Sequence, residues 1–282
     1  MIYLEKNDIH STLTTWLYCH FWMLFSAEVQ EYYNVKINWP IGKSVKSYED
    51  LEKFKQIPNM YDWYFVQPKN NNPAVGSRQV WTWENWQDPT PVPLMSCQLT
   101  IIKQWYQQNL IFNQETNKRG QELVNKYQID FSNTIGITWR GTDIYLDGRP
   151  RIPIEKYFRF IDEVLKPGMR IMCTAEESGI LDPLLKRYPE AFFIEEFEAA
   201  PLGGKDNPER NSKRSGYERG LQPVLMVWLF SKCAHYIKNR SSTGAVASWL
   251  SNGRIVNIAH EETLSYVKMD DQVEIEGIKY PL

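Results

Sequence analysis

The amino-acid sequence predicts an α/β fold built on parallel, doubly wound sheets. Two patterns carry this prediction. In the second half, short apolar runs alternate with segments whose apolar residues recur at helical spacing, as in strand–helix–strand units. Several of these runs also break into polar loops, as strands do at the carboxyl edge of an open sheet. With 282 residues the chain can bury two cores, and two Rossmann-like domains facing each other across a cleft fit it. The boundary falls near residues 131–133, giving domains 1–132 and 133–282.

The first half is the less regular. Residues 2–4 and 35–39 read as strands, with an apolar helix at 13–32 between them. A third strand is expected at 61–66, a loop carrying Trp81, Trp83 and Trp86 at 68–93, and a helix at 99–127. In the second half, a strand at 134–139 precedes a loop that runs to Pro153. Ile154, Tyr157, Phe158, Ile161, Val164 and Leu165 then keep a helical period, which Lys166-Pro167-Gly168 stops. Residues 169–174 predict a second buried strand, 178–188 a short helix and 191–195 a third strand. The polar stretch at 196–216 is longer than loops inside compact domains usually are, and such loops are often lids or binding loops. Residues 220–232, apolar on nearly every side, predict a buried helix. A fourth strand at 234–238, a helix at 243–250 and a fifth strand at 254–258 complete the pattern.

Composition excludes several classes. Hydrophobic residues at 43% and charged residues at 23% are those of a soluble globular protein. A formal net charge of -2 leaves no electrostatic footprint for nucleic acid or an anionic membrane. The four cysteines lie far apart without a CxxC pair, which predicts free buried thiols of a reducing compartment rather than disulfides or zinc ligands. The histidines show no HExxH spacing. The apolar run at 16–25 contains His20 and is too short to span a bilayer. No transmembrane segment is expected, and the chain reads as cytoplasmic and soluble, or as the soluble catalytic fragment of a larger protein.

Four features gather at the carboxyl edge of the second-half sheet. The strand at 134–139 runs into Arg140-Gly141-Thr142-Asp143. An arginine fixed there can grip phosphate oxygens with two parallel hydrogen bonds, or close a strand-end salt bridge. Asn239-Arg240-Ser241-Ser242-Thr243-Gly244 follows the fourth strand and opens a helix, where free N–H groups and hydroxyls form an anion site or simply an N-cap. Thr174-Ala175-Glu176-Glu177 lies just beyond the second strand. Its glutamates suit a ribose or base contact, or merely answer a helix dipole. The loop at 196–216 carries Lys205, Arg210, Lys213 and Arg214, placed to close over a ligand or to be solvated. Neither GxGxxG nor GxxxxGK[ST] occurs, against a dinucleotide oxidoreductase and a P-loop enzyme.

The run Ile135-Gly136-Ile137-Thr138-Trp139-Arg140-Gly141-Thr142-Asp143 resembles the "IGVHVRRTD" motif of the α-1,6-fucosyltransferase family, which includes N-glycan core and Nod-factor fucosyltransferases. The resemblance continues through Pro153-Ile154-Glu155-Lys156-Tyr157, Thr174-Ala175-Glu176-Glu177 (family "ATDD"), Lys186-Arg187-Tyr188-Pro189, Leu229-Phe230-Ser231-Lys232-Cys233-Ala234 and Ser241-Ser242. It covers residues 134–250 in order, whereas residues 7–15 lack the glycine-rich loop usual in the family. The resemblance implies a GT-B-like fold with the nucleotide-sugar donor on the second domain. It implies that Arg140 holds the β-phosphate and that Ser241 and Ser242 meet the pyrophosphate. Arg240 and Thr243 border that contact, and Thr174, Glu176 and Glu177 line the nucleotide.

Two departures from the family bear on the base. Its guanine-associated histidine is Thr138 here, and its aspartate near the base aligns with Met226. A site that keeps the pyrophosphate grip without these groups suits a different nucleotide, so the donor is GDP- or UDP-linked.

The chemistry implied is inverting sugar transfer to an oligosaccharide or glycoconjugate acceptor. The leaving diphosphate needs charge stabilisation rather than a general acid. Neither a cofactor nor a metal is expected, and the manganese-holding DxD sequence is absent. One carboxylate suffices to deprotonate the acceptor. Asp147 lies near the family's base position, with Asp143 as its rival or as a brace for the loop and Arg140; Asp147-Gly148 is also a strong turn pair. Fucose from GDP-fucose is the family default, and a UDP-linked sugar such as xylose is the alternative. A non-catalytic carbohydrate-binding protein on the same scaffold is the reading from a different class, since tryptophan faces stack on sugars.

Overall fold

The computed structural model describes residues 2–5, 35–38, 48–67, 79–81, 106–139, 152–175, 179, 181–197, 214–238, 241–258, 272–275 and 278–281. The chain divides into two compact units. One comprises Met1–Lys118, Arg214–Leu225 and Gln272–Leu282, the other Arg119–Lys213 and Met226–Asp271. The helix expected at 13–32 and most of the loop at 196–216 lie outside the described residues.

In the first unit β1 (Ile2–Glu5) and β2 (Val35–Asn38) pair in parallel, at the two apolar runs that predict strands. The structure adds α1 (Tyr48–Gln56), whose sequence offers only a weak apolar period. Its buried Asp50 accepts hydrogen bonds from the Gly216 and Tyr217 N–H groups at 2.7 and 2.8 Å. The strand expected at 61–66 is instead a 3-10 turn, Met60–Trp63, leading into the two-residue β3 (Phe65–Val66). Asn59 is the cause: its side-chain oxygen accepts the Tyr61 N–H at 3.1 Å and curls the chain before it can extend. Part of the loop expected at 68–93 is a strand, β4 (Gln79–Trp81), which pairs in parallel with β1 to give the order β2-β1-β4. The helix expected over 99–127 is broken by β5 (Ile111–Phe112), antiparallel to β3. Asn113 then accepts the Thr116 N–H at 2.9 Å and starts α2 (Gln114–Tyr127) afresh.

The second unit is the part that the sequence describes well. Its elements are β6 (Thr134–Trp139), α3 (Ile154–Val164), β7 (Arg170–Ala175), α4 (Leu181–Arg187), β8 (Ala191–Phe193), the end of α5 (Gly216–Phe230), β9 (His235–Lys238), α6 (Ser242–Leu250) and β10 (Arg254–Asn257). All five strands coincide with expected ones. They form one parallel sheet in the order β10-β9-β6-β7-β8. Helix α5 starts four residues before the expected 220 because the Asp50 carboxylate answers its first N–H groups. The chain's last described residues, β11 (Gln272–Ile275) and β12 (Ile278–Pro281), pair antiparallel.

Alternation along the strands sorts residues onto two faces of this sheet. Ile135, Ile137 and Trp139 of β6, Ile171 and Cys173 of β7, and Ile237 of β9 pack with Tyr157, Phe160, Ile161 and Val164 of α3 and Leu184 of α4. Each such side chain contributes about 1.5–3 kcal/mol by leaving water. Cys173 and Cys233 are free and buried, and burial pushes both thiols well above their usual pKa, so they fill space rather than react. On the opposite face, the Phe230 ring stacks on Tyr236 with centroids 5.1 Å apart. Phe230 can sit there because β6 presents Gly136, where a Cβ would lie 2.5 Å from Phe230 Cδ1.

No helix among the described residues is long and apolar enough to cross a membrane. The Gly136 contact gives a stability prediction. Gly136→Ala should cost about 1–3 kcal/mol in denaturant unfolding, because the fully buried Phe230 ring has no room to retreat. An unchanged midpoint would mean that α5 yields to the added methyl.

Candidate functional site

The direction of winding reverses between β6 and β9. From β6 the chain steps outward through β7 to β8, while β9 steps the other way to β10. In doubly wound sheets ligands bind outside the carboxyl ends of the strands at such a reversal. Arg140 follows directly on Trp139, the last residue of β6, and Ser241 stands three residues beyond Lys238, the last residue of β9.

Register places three polar side chains in one row here. Thr138 of β6 is the Cα partner of Thr174 on β7 and of Lys238 on β9. Neighbours in register point to the same face, and this is the face of Gly136 and Tyr236, away from the apolar cluster under α3. All three are buried. Thr138 Oγ1 lies 3.1 Å from the Tyr236 hydroxyl and is satisfied internally. The Thr174 hydroxyl has no hydrogen-bond partner among the described residues, nor does the Trp139 indole N–H at the end of β6. No described residue gives the Lys238 ammonium a hydrogen bond or a counter-charge, and only 9% of the residue is exposed. Buried polar groups are normally paired, so unpaired ones gathered at one sheet edge mark a place that a polar ligand would complete.

The mouth of α6 adds a second kind of donor. Ser241 is its N-cap, and the Ser241 Oγ accepts the Gly244 N–H at 2.9 Å. The simple capping role weighed from the sequence is therefore present. It does not exhaust the residue: the serine retains its O–H as a donor, and the N–H groups of the first two helical positions have no partner within the helix. Ser242 opens α6 and Thr243 is half-buried in its first turn. Met226 is half-buried on α5, one turn before Phe230. Tyr157 anchors the end of β6, donating its hydroxyl to the Thr138 carbonyl in a long bond of 3.4 Å while its ring packs on Trp139 at 4.7 Å.

Of the residues singled out in the sequence, the structure thus brings Thr138 and Thr174 side by side and sets Ser241 at the neighbouring helix start. Arg140, Asp143, Asp147, Glu176, Glu177 and Arg240 lie outside the described residues. Among the described residues, no three of His, Cys, Asp and Glu gather as metal ligands. Lys238 escaped the sequence reading. A signal existed: a lysine closing the apolar run Tyr236-Ile237, where a solvated strand end would be the default.

No family model matches the sequence, and no curated protein matches it. Solved structures do. NodZ α-1,6-fucosyltransferase co-crystallised with GDP is similar over 91% of this chain and 94% of its own, at 13% identity and a TM-score of 0.53. The same enzyme soaked with GDP-fucose gives 14% identity and a TM-score of 0.51 over the same shares. The fucosyltransferase NodZ from Bradyrhizobium gives 13% and 0.51, again over 91% and 94%. The chain has the fold of that fucosyltransferase. The α/β fold class expected from the sequence, with its parallel sheet in the second half, is the one observed.

Burial pushes the Lys238 ammonium down from 10.5 to about 8. On this face, β6 and β7 contribute Gly136, Thr138, Met172 and Thr174, and β10 contributes Ile255, none of which ionises; Arg170, four residues back along β7, donates to the Tyr127 and Gln128 carbonyls. Neither α6 nor the end of α5 from Met226 carries an ionisable side chain. The one titratable neighbour on β9 is the Tyr236 phenol, which burial keeps neutral. A lysine whose folded pKa lies below its unfolded value makes the unfolded chain the better proton binder between the two. Stability contributed by this group is therefore full above about pH 10.5 and lost as pH falls through about 8, by about 3 kcal/mol. The stability of Lys238→Met relative to the wild type should accordingly grow as pH is lowered from 10.5 to 8. A pH-independent difference in urea unfolding would show that the ammonium is solvated or paired.

Proposed function

We propose that this protein is a glycosyltransferase that moves a sugar from a nucleotide-sugar donor to a glycan acceptor, with inversion and without a metal. One observation carries the reading. The strand that ends one residue before Arg140 and the helix that Ser241 caps flank the winding reversal of a sheet in a chain with the NodZ fold. The donor is assigned to the second half of the chain and the acceptor to the first, residues 1–132. The recorded ligands of NodZ, GDP and GDP-fucose, support a nucleotide-sugar donor of this type.

In the proposed reaction the acceptor hydroxyl oxygen attacks the anomeric carbon from the side opposite the diphosphate. The new C–O bond forms as the bond to the β-phosphate oxygen breaks, and its electron pair leaves with the nucleoside diphosphate. The acceptor proton passes to a carboxylate, assigned to Asp147 with Asp143 as the alternative. Arg140 and the α6 N–H groups neutralise the charge that develops on the leaving phosphate, where fixed donors act most strongly. Thr174, Glu176 and Glu177 are assigned to the nucleoside, and Arg240, Ser242 and Thr243 to the rim of the phosphate site.

One observation favours a UDP-linked donor over GDP-fucose. The Thr138 hydroxyl is already engaged by Tyr236, and Met226 offers only a weak thioether acceptor, so neither position replaces the family's guanine-reading groups.

Purified protein should release nucleoside diphosphate from one of GDP-fucose, UDP-xylose or another UDP-sugar in the presence of a glycan acceptor. Arg140→Ala should lower kcat by about 100-fold or more while leaving the circular dichroism spectrum unchanged. Near-normal turnover in that variant would remove the arginine from the mechanism. Binding of glycans with no donor turnover would instead make the protein a carbohydrate-binding module.

A further inference from the structure

Lys238 is the one cation among the described residues that reaches the winding reversal. It belongs to the last turn of a strand whose preceding residues, Tyr236 and Ile237, are fully buried, and it leads through two residues into the N-cap of α6. A lysine in such a place ordinarily swings its ammonium into water, since the stem is flexible. Here it is nine-tenths buried beside Thr138, with the unpartnered Thr174 hydroxyl one strand further on. A dehydrated ammonium without a counter-ion is unfavourable in the free protein and becomes favourable once an anion enters. A further donor borders the same notch, the Ser241 hydroxyl at the N-cap of α6. The arrangement is therefore one-sided: the Lys238 ammonium and the Thr174 hydroxyl lie in one row, and no described acceptor answers either.

We propose that Lys238 is a phosphate-contacting residue of the donor site, a cation additional to Arg140 that binds the diphosphate of the nucleotide. The inference rests on the transferase reading above, to which it adds a residue and a charge. The ammonium donates to non-bridging phosphate oxygens. During transfer it helps to carry the negative charge that appears as the anomeric C–O bond breaks. Lysine acts there as a point charge, whereas Arg140 supplies the planar, two-pronged grip. Thr138, the register neighbour of Lys238, has its own hydroxyl turned to Tyr236.

Titration calorimetry and thermal melting of the full chain test this with GDP, UDP, guanosine and uridine as probes, on wild type, Lys238→Met and Lys238→Arg. The diphosphate preferred by the wild type should bind Lys238→Met more weakly by about 30-fold or more. Lys238→Arg should retain part of that affinity, and the matching nucleoside should bind all three proteins alike. Free Lys238→Met should melt at the wild-type temperature or above it, because an unpaired buried charge has been removed. A residue with a purely structural role would instead lower the melting temperature and leave diphosphate binding unchanged, which would overturn the proposal. Equal loss for nucleoside and diphosphate would overturn it too, by moving the contact to the base or ribose. If the wild type binds neither diphosphate, the transferase reading falls and Lys238 with it. If the wild type binds one and Lys238→Met binds it equally, only the role of Lys238 falls.

Discussion

The reversal of winding between β6 and β9 is the constraint on which the second unit depends. Right-handed crossovers carry the chain over one face from β6 to β8 and over the other from β9 to β10. The carboxyl ends of β6 and β9 are adjacent, at the point where the direction of winding changes. The strands change character as they reach this notch. Ile137 and Ile237 are paired in register, and the next pair is Thr138 and Lys238. One step along the strands thus exchanges an aliphatic pair for a hydroxyl and an ammonium, both still buried. A core designed only for stability would continue with aliphatic side chains.

The energetic consequences of that step are borne elsewhere in the same sheet. On the face under α3 and α4, isoleucines, Val256, Cys173 and aromatic rings close a continuous apolar layer. Its burial supplies the favourable term against which an unpaired ammonium is tolerated. On the polar face the order is kept by a chain of contacts. Gly136 leaves room for Phe230, Phe230 stacks on Tyr236, and Tyr236 meets the Thr138 hydroxyl. The glycine of the strand motif therefore determines how the wall beside Lys238 is built. Tyr157 holds the same strand end from the other side through the Thr138 carbonyl and the Trp139 ring.

What was legible in the sequence follows from where each element takes its instructions. The five strands of the second unit and helices α3 and α6 are written in local periodicity and in stop signals such as Lys166-Pro167-Gly168, and each appears within a few residues of its expected place. The first unit is governed by side-chain to backbone bonds that no period encodes. Asn59 turns an apolar run into a 3-10 turn, and Asn113 restarts a helix that a strand has interrupted. The early start of α5 depends on Asp50, more than 160 residues away in the chain. At the site, Thr138, Thr174 and Ser241 were found because they flank recognisable loops. Lys238 was not, because a terminal strand lysine is usually solvated and only the register and the burial reveal otherwise.

The same row bears on the choice of base under the proposed reading. Guanine presents two adjacent N–H donors on its pairing edge and needs acceptors to satisfy them, a task that suits a carboxylate. Met226 has only a weak thioether acceptor to offer, and the Thr138 oxygen is shared with the Tyr236 phenol. A guanine seated against these two residues would leave donors unpaired in a dry site, at about 1–3 kcal/mol for each. Uracil has a single N–H between two carbonyls and loses less in the same surroundings. Under this reading the departures at Thr138 and Met226 act in one direction: they remove acceptors at the base end, while Lys238 adds a donor at the phosphate end. Discrimination of that kind needs no new pocket, only the withdrawal of the groups that made guanine favourable.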